Sequence, residues 1–355
     1  MGASKVTGSK INAIDQMGNT KMTIPRIVAL VVFLGALIAL PHFLKNAQLI
    51  MMSRIFLLAV YGMSYDILRG YTGFINLGQS IFFGSGVYMG VIYLNKTNNL
   101  LHFVYAILAI TVFSIIGGFI MSKIVLRTGG VVAAAMITLA LAEIVRNLAE
   151  RFRNITGGQD GLPLGSSRVA LDPLFNTRIG AYYFTLVFLI VMTILLRQFV
   201  LSPTGRVLLS IRENEQRSRF LGFNTDQYKT IAIIVSSVAS GWTGTFFAVI
   251  ARFANTDYLS VQYTLNALLI TLVGGTGTLY GAIIGSAFVT WIQSFLLDLA
   301  KIYKDVQIFR FPMIFIGCIY IILVMFMPSG IMGGVYRLQA YLKDRKEKAK
   351  AKINA

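Results

Sequence analysis

One cysteine, two histidines and very little charge are spread over 355 residues, and each shortage removes a class of function. Cys318 alone builds neither a disulfide framework nor a thiolate metal site. His42 and His102 lie near the ends of apolar runs and are too few for a metal cluster, so an interfacial role is the plainer reading of both. Charged residues make up 13% of the chain, where soluble domains carry about a quarter. No G-x-x-x-x-G-K-[ST] phosphate loop, nucleophile elbow or His-Glu-x-x-His pattern occurs. An enzyme, and above all an ATPase, is not expected from this chain, nor is a metal or cofactor of its own.

What the chain has instead is apolar length. Hydrophobic residues reach 56%, and several runs attain the ~18–20 residues that a bilayer-spanning helix needs. The expected class is an all-α polytopic membrane protein with about 8–10 transmembrane helices. The apolar segments fall at 24–43, 50–69, 78–94, 103–125, 130–148, 182–200, 230–252, 263–275, 279–298 and 310–327. Those at 78–94 and 263–275 are short and glycine-rich, which makes them candidates for broken or re-entrant spans. A polar N-terminal tail at 1–23, a membrane domain at 24–330 and a basic tail at 331–355 complete the organisation. The first apolar run ends "IALPHF" without a small-x-small cleavage pattern and reads as a retained helix. Val6 in "MGASKV" stands where a myristoylation signal needs Ser or Thr.

The formal charge of +18 would point to nucleic acid in a soluble protein. Here the basic residues sit in tails and short loops, so they read as topology signals and attraction to anionic lipid instead. Lys5, Lys10 and Lys21 mark the N-terminal tail, Arg206, Arg212, Arg217, Arg219 and Lys229 the loop 201–229, and Arg337 with six further basic residues the C-terminal tail. The positive-inside rule places all three in the cytoplasm, and alternation through ten segments from an inside N-terminus agrees. The loop 149–181 then lies outside. Its Arg151, Arg153, Arg168 and Arg178 fit that side awkwardly, although Glu150, Asp160 and Asp172 offset part of them.

Few charges fall within the spans. Asp66 with Arg69, and Glu143 with Arg146, stand three apart on helix faces, so each pair is expected to satisfy itself. No midplane relay of Asp, Glu or His is found, which argues against a proton-coupled carrier. "GYTGFINLGQSIFFGSG" (70–86) and "GGTGTLYGAIIGS" (274–286) both read G-x-T-G, a short linker and a glycine-rich helix. Paired interrupted segments of this kind point to transporter repeats, and close helix packing is the plain alternative for any one glycine.

The longest charged run is "SIRENEQRSRFLGFNTDQYK", Ser210 to Lys229. "SPTGRVLLSIRENEQRSRF" reads as one amphipathic helix with Val207, Leu208 and Ile211 on one face. Arg212, Glu215 and Arg219 are spaced to pair on another. Gly222 suits the left-handed residue that ends a helix. Asn224 is placed as the next N-cap, with Gln227 closing a capping box and Phe223 and Tyr228 a hydrophobic staple. The segment is therefore either a stiff lever tied to the following span or a merely solvated loop.

Four stretches together, "YDILRGYTGFINLGQSIFFGSGVYMG", "NITGGQDGLP", "GRVLLSIRENEQRSRFLGFNTDQYK" and "LVGGTGTLYGAIIGS", resemble the membrane-spanning subunits of branched-chain amino acid ABC transporters. The resemblance runs from about residue 50 to residue 334 and implies an inverted-repeat permease that pairs with a homologous second permease. It also implies two cytoplasmic ATPase subunits that bind the ATP and Mg, and an extracytoplasmic solute-binding protein that delivers the solute. Arg212, Glu213, Asn214, Glu215, Arg219 and Gly222 then match the loop that docks on the ATPase, although "ENEQRSRFLG" lacks the "EAA" letters common in other ABC importers. Gly157, Gly158 and Asp160 would lie near the binding-protein face. Asn76, Gln79, Ser80 and Thr276 are the candidates for contact with solute. Urea and short-chain amide permeases are closely similar, so the solute stays open, and an autonomous secondary transporter or channel is the alternative from another class.

Overall fold

The computed structural model describes residues 35–96, 100–128, 130–165, 177–302, 317 and 330–334. The expected tail at 1–23, nearly all of the expected span 310–327, Cys318 and the basic tail beyond Gly334 lie outside them. Among the described residues the main helices are α1 (Asn46–Asp66), α2 (Gln79–Lys96), α3 (Leu100–Leu126), α4 (Val131–Arg151), α5 (Arg178–Leu201), α6 (Pro203–Glu213), α7 (Glu215–Phe220), α8 (Thr225–Ala251), α9 (Val261–Gly274) and α10 (Gly281–Ile302). The only strands described, Leu162–Pro163 (β1) and Phe253–Ala254 (β2), form one short antiparallel pair.

Among the described residues five helices are long and apolar enough to cross a bilayer: Asn46–Thr72, Leu101–Leu126, Val131–Arg151, Arg178–Leu201 and Thr225–Ala251. The chain is an all-α polytopic membrane protein. Helices α3 and α4 expose apolar side chains such as Leu108, Ile116, Val132 and Met136, as lipid-facing surfaces do. By contrast α1 is buried along most of its length, from Ile55 to Asp66.

Side-chain contacts give each helix a direction. One end of the bundle holds the loop 202–224 and the residues after α1, where Asp66 meets Gly277. The other end holds β1 and β2, where Asn95 at the end of α2 donates to the Pro163 carbonyl at 3.0 Å. From the loop end, α8 runs to the strand end, and Ser236, Gly241 and Ala248 meet Gln79, Gly86 and Gly90 of α2 in the same order. Helices α2 and α8 are therefore parallel neighbours.

Two units of helix, break and helix follow. In the first, α1 runs to the loop end, continues as a π-helical turn over Ile67–Thr72, and leaves helical geometry at Gly73 (φ 75°). The chain returns irregularly through 74–78 and resumes as α2 in the middle of the bundle. In the second, α8 runs to the strand end, the chain turns back through β2 and a 3-10 turn at Thr256–Leu259, and α9 starts at depth. The short spans expected at 78–94 and 263–275 are the second helices of these units. The units run in opposite senses, while the two G-x-T-G motifs share the loop end. The breaks, rather than those motifs, are what correspond between the units.

Glycine lets α2 and α8 approach closely. A Cβ on Gly244 would fall against the Phe83 carbonyl, and one on Gly86 against the Gly241 carbonyl. Behind this seam Phe83 packs on Tyr61 (ring centroids 4.6 Å apart) and on Tyr263 (5.4 Å), which joins α1, α2 and α9. Overpacking such a contact typically costs about 1–3 kcal/mol, and backbone offers less room to yield than a side chain does. Gly244→Ala is therefore expected to lower the unfolding temperature in detergent clearly. Gly130→Ala, at an extended glycine with nothing within 4 Å of the added atom, should leave it unchanged.

Candidate functional site

The charged loop is two helices rather than the single one its sequence predicts. Ser202 caps α6 by accepting from the Gly205 amide at 3.3 Å, and Pro203 occupies the first turn, where a missing N–H costs nothing. Asn214 then adopts an extended conformation and caps α7, its Oδ1 accepting from the Arg217 amide at 2.9 Å. Glu215 follows in the first turn of α7. An N-cap residue with a helix already behind it forces a bend, and the Ser210 and Ser218 hydroxyls meet across that bend at 2.9 Å. Gly222 turns left-handed (φ 90°), and Asn224 caps α8 by accepting from the Gln227 amide at 3.3 Å. Phe223 and Tyr228 make the expected staple, with ring centroids 6.1 Å apart. The return bond of the capping box, from the Gln227 side chain, is not made.

An ion network fixes this loop to α8. Arg219 bonds Glu215 and Asp226, both at 3.1 Å, and the Thr225 hydroxyl at 2.8 Å, while Lys229 reaches Glu215 at 2.6 Å. Arg212 was expected to join it and does not. Its guanidinium turns into the bundle and donates to the Gly70 carbonyl. Burial works against ionisation of Glu215, but the hydrogen bond and charge of Lys229 and the charge of Arg219 outweigh it. The carboxyl accordingly titrates below its ordinary value. Glu213, at the end of α6, makes none of these contacts.

Asp66 departs from expectation more sharply. It does not pair with Arg69. Its side chain is fully buried, and its two oxygens accept from the Gly277 amide at 2.7 Å and the Leu279 amide at 3.1 Å. The Tyr71 hydroxyl donates to the Gly277 carbonyl at 3.2 Å. Both G-x-T-G motifs thus converge on one junction, with Gly73 and Gly277 each left-handed at the fourth position (φ 75° and 79°). The buried carboxylate takes backbone amides because the turn at 275–279 leaves them without helical partners, and these donors need an acceptor, which the guanidinium of Arg69 is not. Glu143 and Arg146 do pair, at 3.7 Å, and Arg146 also lies 3.5 Å from Glu150.

Of the four residues expected to meet solute, three lie together, Asn76 in the break before α2 and Gln79 and Ser80 in the first turn of that helix, all fully buried and bonded to protein. Asn76 donates to Gln79 at 3.0 Å and accepts from the Gly78 amide at 2.9 Å. Gln79 donates to the Ser236 hydroxyl at 2.9 Å, the Ser236 carbonyl at 3.1 Å and Ser64 at 3.3 Å. The Ser80 amide donates to Thr264 at 2.9 Å and its hydroxyl to the Leu259 carbonyl at 2.9 Å. The break at 74–78 is thereby tied to α8 and to the second break. Thr276 is apart from these, half-buried at the loop-end junction. Gly157 and Gly158, both left-handed, and the exposed Asp160 lie at the strand end, in the turn that precedes β1. A cavity of ≈ 350 Å³ at that end is lined by Ser53, Thr177, Arg178 and Arg252 among others, and by none of the expected site residues.

Fold and site together define a multi-pass helical membrane protein built from paired helix–break–helix units, with a structured charged loop clamped on one end. The chain belongs to the family described as branched-chain amino acid transport system / permease component, which matches residues 48–328. It is 24% identical over 362 residues to the high-affinity branched-chain amino acid transport system permease protein LivM of Escherichia coli (strain K12), covering 93% of this chain and 80% of that protein. The LivM of Salmonella typhimurium is 23% identical, over 90% of this chain and 80% of its own length. A shorter likeness, 36% over 98 residues, covers 26% of this chain and 29% of the autoinducer 2 import system permease protein LsrC of Photorhabdus laumondii. No solved structure matches.

The depressed titration of Glu215 has a definite sign. A carboxyl whose folded pKa lies below its ordinary 4.5 adds stability above that pH, and the contribution is lost as pH falls through the folded value. Hydrogen exchange at Asp226–Lys229 should therefore be slower in the wild-type chain than in Glu215→Gln at pH 7. The difference should shrink as pH falls below 4.5 and the carboxyl takes up its proton on passing through the folded value.

Proposed function

We propose that this chain is one half of the translocation pathway of an ATP-driven importer, and that its solute is a branched-chain or other hydrophobic amino acid. In this reading the loop 202–224 faces the cytoplasm and docks on an ATPase subunit. A second, homologous permease completes the pathway, and an extracytoplasmic binding protein delivers the solute near Gly157–Asp160. ATP and Mg belong to the partner ATPases. The observation that carries the reading is the build of the loop: two short helices, each capped by its own side chain, are bent at Asn214 and clamped by Glu215, Arg219 and Lys229 onto a span. A loop with no load to pass on has no need of such stiffness, and on its outer side Phe220 (91% exposed) and Leu221 (67%) offer apolar surface.

The amino-acid assignment rests on the family description and on the LivM relatives, whose names state branched-chain amino acid transport. Substituting Glu215→Lys reverses the charge that Lys229 and Arg219 hold, and Gly222→Pro imposes a φ that the left-handed turn excludes. In the reconstituted complex each change is expected to reduce solute-stimulated ATP hydrolysis roughly tenfold or more while the chain still reaches the membrane. Hydrolysis at the wild-type level in both variants would refute the coupling role.

A further inference from the structure

We propose that Asp66 and Arg212 form a latch that makes the charged loop and the turn 275–279 move as one body, with Arg212 as a positioning residue for transport. The proposal rests on the reading of 202–224 as the ATPase-facing loop and goes beyond it by naming where the load enters the membrane domain. Arg212 leaves the ion network of its own loop and donates to the Gly70 carbonyl. Its Nη1 also lies against Gly277, where an added Cβ would come within 3.1 Å of it. Asp66, one turn before Gly70, holds the amides of Gly277 and Leu279, and Tyr71 holds the Gly277 carbonyl. Residues 66–71 are thus joined to 277–279 by side-chain bonds from above, and to α6 by a guanidinium from below.

Two features make this contact a latch rather than ordinary packing. Leu279 is held left-handed at φ 48°, a conformation that a branched side chain adopts only when its surroundings impose it. Releasing the two amides would let that turn relax. The turn also ends α9, whose Thr264 accepts from the Ser80 amide at the central break. Displacement of α6 therefore has a continuous path through Arg212, Gly70, Gly277 and α9 to the place where the two units meet.

The test uses the complete complex in proteoliposomes and reads solute imported per ATP hydrolysed. In Arg212→Ala and in Asp66→Asn, ATPase subunits should still co-purify and ATP should still be consumed, while the ratio falls roughly tenfold. The double variant should fall no further than either single one, because both remove the same link. Arg212→Lys should recover part of the loss. A ratio within twofold of wild type in both single variants overturns the latch. It leaves the coupling loop standing if Gly222→Pro still silences stimulated hydrolysis; if Gly222→Pro is also without effect, the coupling reading itself fails. Loss of Asp66→Asn from the membrane leaves Arg212→Ala to decide by the same ratio, and loss of both overturns the proposal in favour of a folding role.

Discussion

Backbone that leaves helical geometry inside a bilayer carries N–H and C=O groups that lipid cannot satisfy, and each one left bare is costly. Among the described residues the backbone breaks at membrane depth twice, before α2 and before α9, and the surrounding helices are arranged around satisfying those breaks. Asn76 caps the first from within by taking the Gly78 amide. Thr138 of α4 takes the Leu77 amide at 3.0 Å, and Thr264 takes that of Ser80. The Leu259 carbonyl in the second break is taken by Ser80 in return. The first turns of α2 and α9 thus bond across to each other's side of the bundle, so the two units complete each other.

The same economy governs the loop end. Asp66 is a buried carboxylate without an ion-pair partner among the described residues, a placement that would be prohibitive if its oxygens were not both used. The turn at 275–279 provides two amides that need acceptors, and the carboxylate provides two oxygens that need donors. The positive charge of Arg212 lies close enough to act on it. The charged loop is consequently not an appendage: Arg212 is part of the membrane domain's internal bonding, and Arg219 fastens the loop to α8.

Sequence pattern was a good guide wherever the deciding interaction is local. Between residues 46 and 302 apolar runs located the helices to within a few residues. Gly222, Asn224 and the Phe223–Tyr228 staple were legible because a left-handed glycine, an N-cap and a staple are set by neighbours in the chain. The bend at Asn214 was missed although its signal is present: an N-cap residue followed by an acid in the first turn, overlooked inside a longer amphipathic pattern. Asp66 was illegible for a different reason. Its partners lie 211 and 213 residues away, whereas Arg69 stands at the helical spacing that local reasoning favours. Asn76, Gln79 and Ser80 were picked out as polar residues in a broken span. That their present partners are Ser64, Ser236, Leu259 and Thr264 follows only from the packing of α2 against α1, α8 and α9.

The central claim is that this membrane domain does work supplied from outside itself. The most direct measurement is uptake of labelled leucine into proteoliposomes that contain this chain with the proposed companion permease, ATPases and binding protein, with and without enclosed ATP. The account predicts accumulation above the external concentration only when both ATP and the ATPase subunits are present. Equilibration of leucine down its gradient through this chain alone, indifferent to ATP, would contradict it.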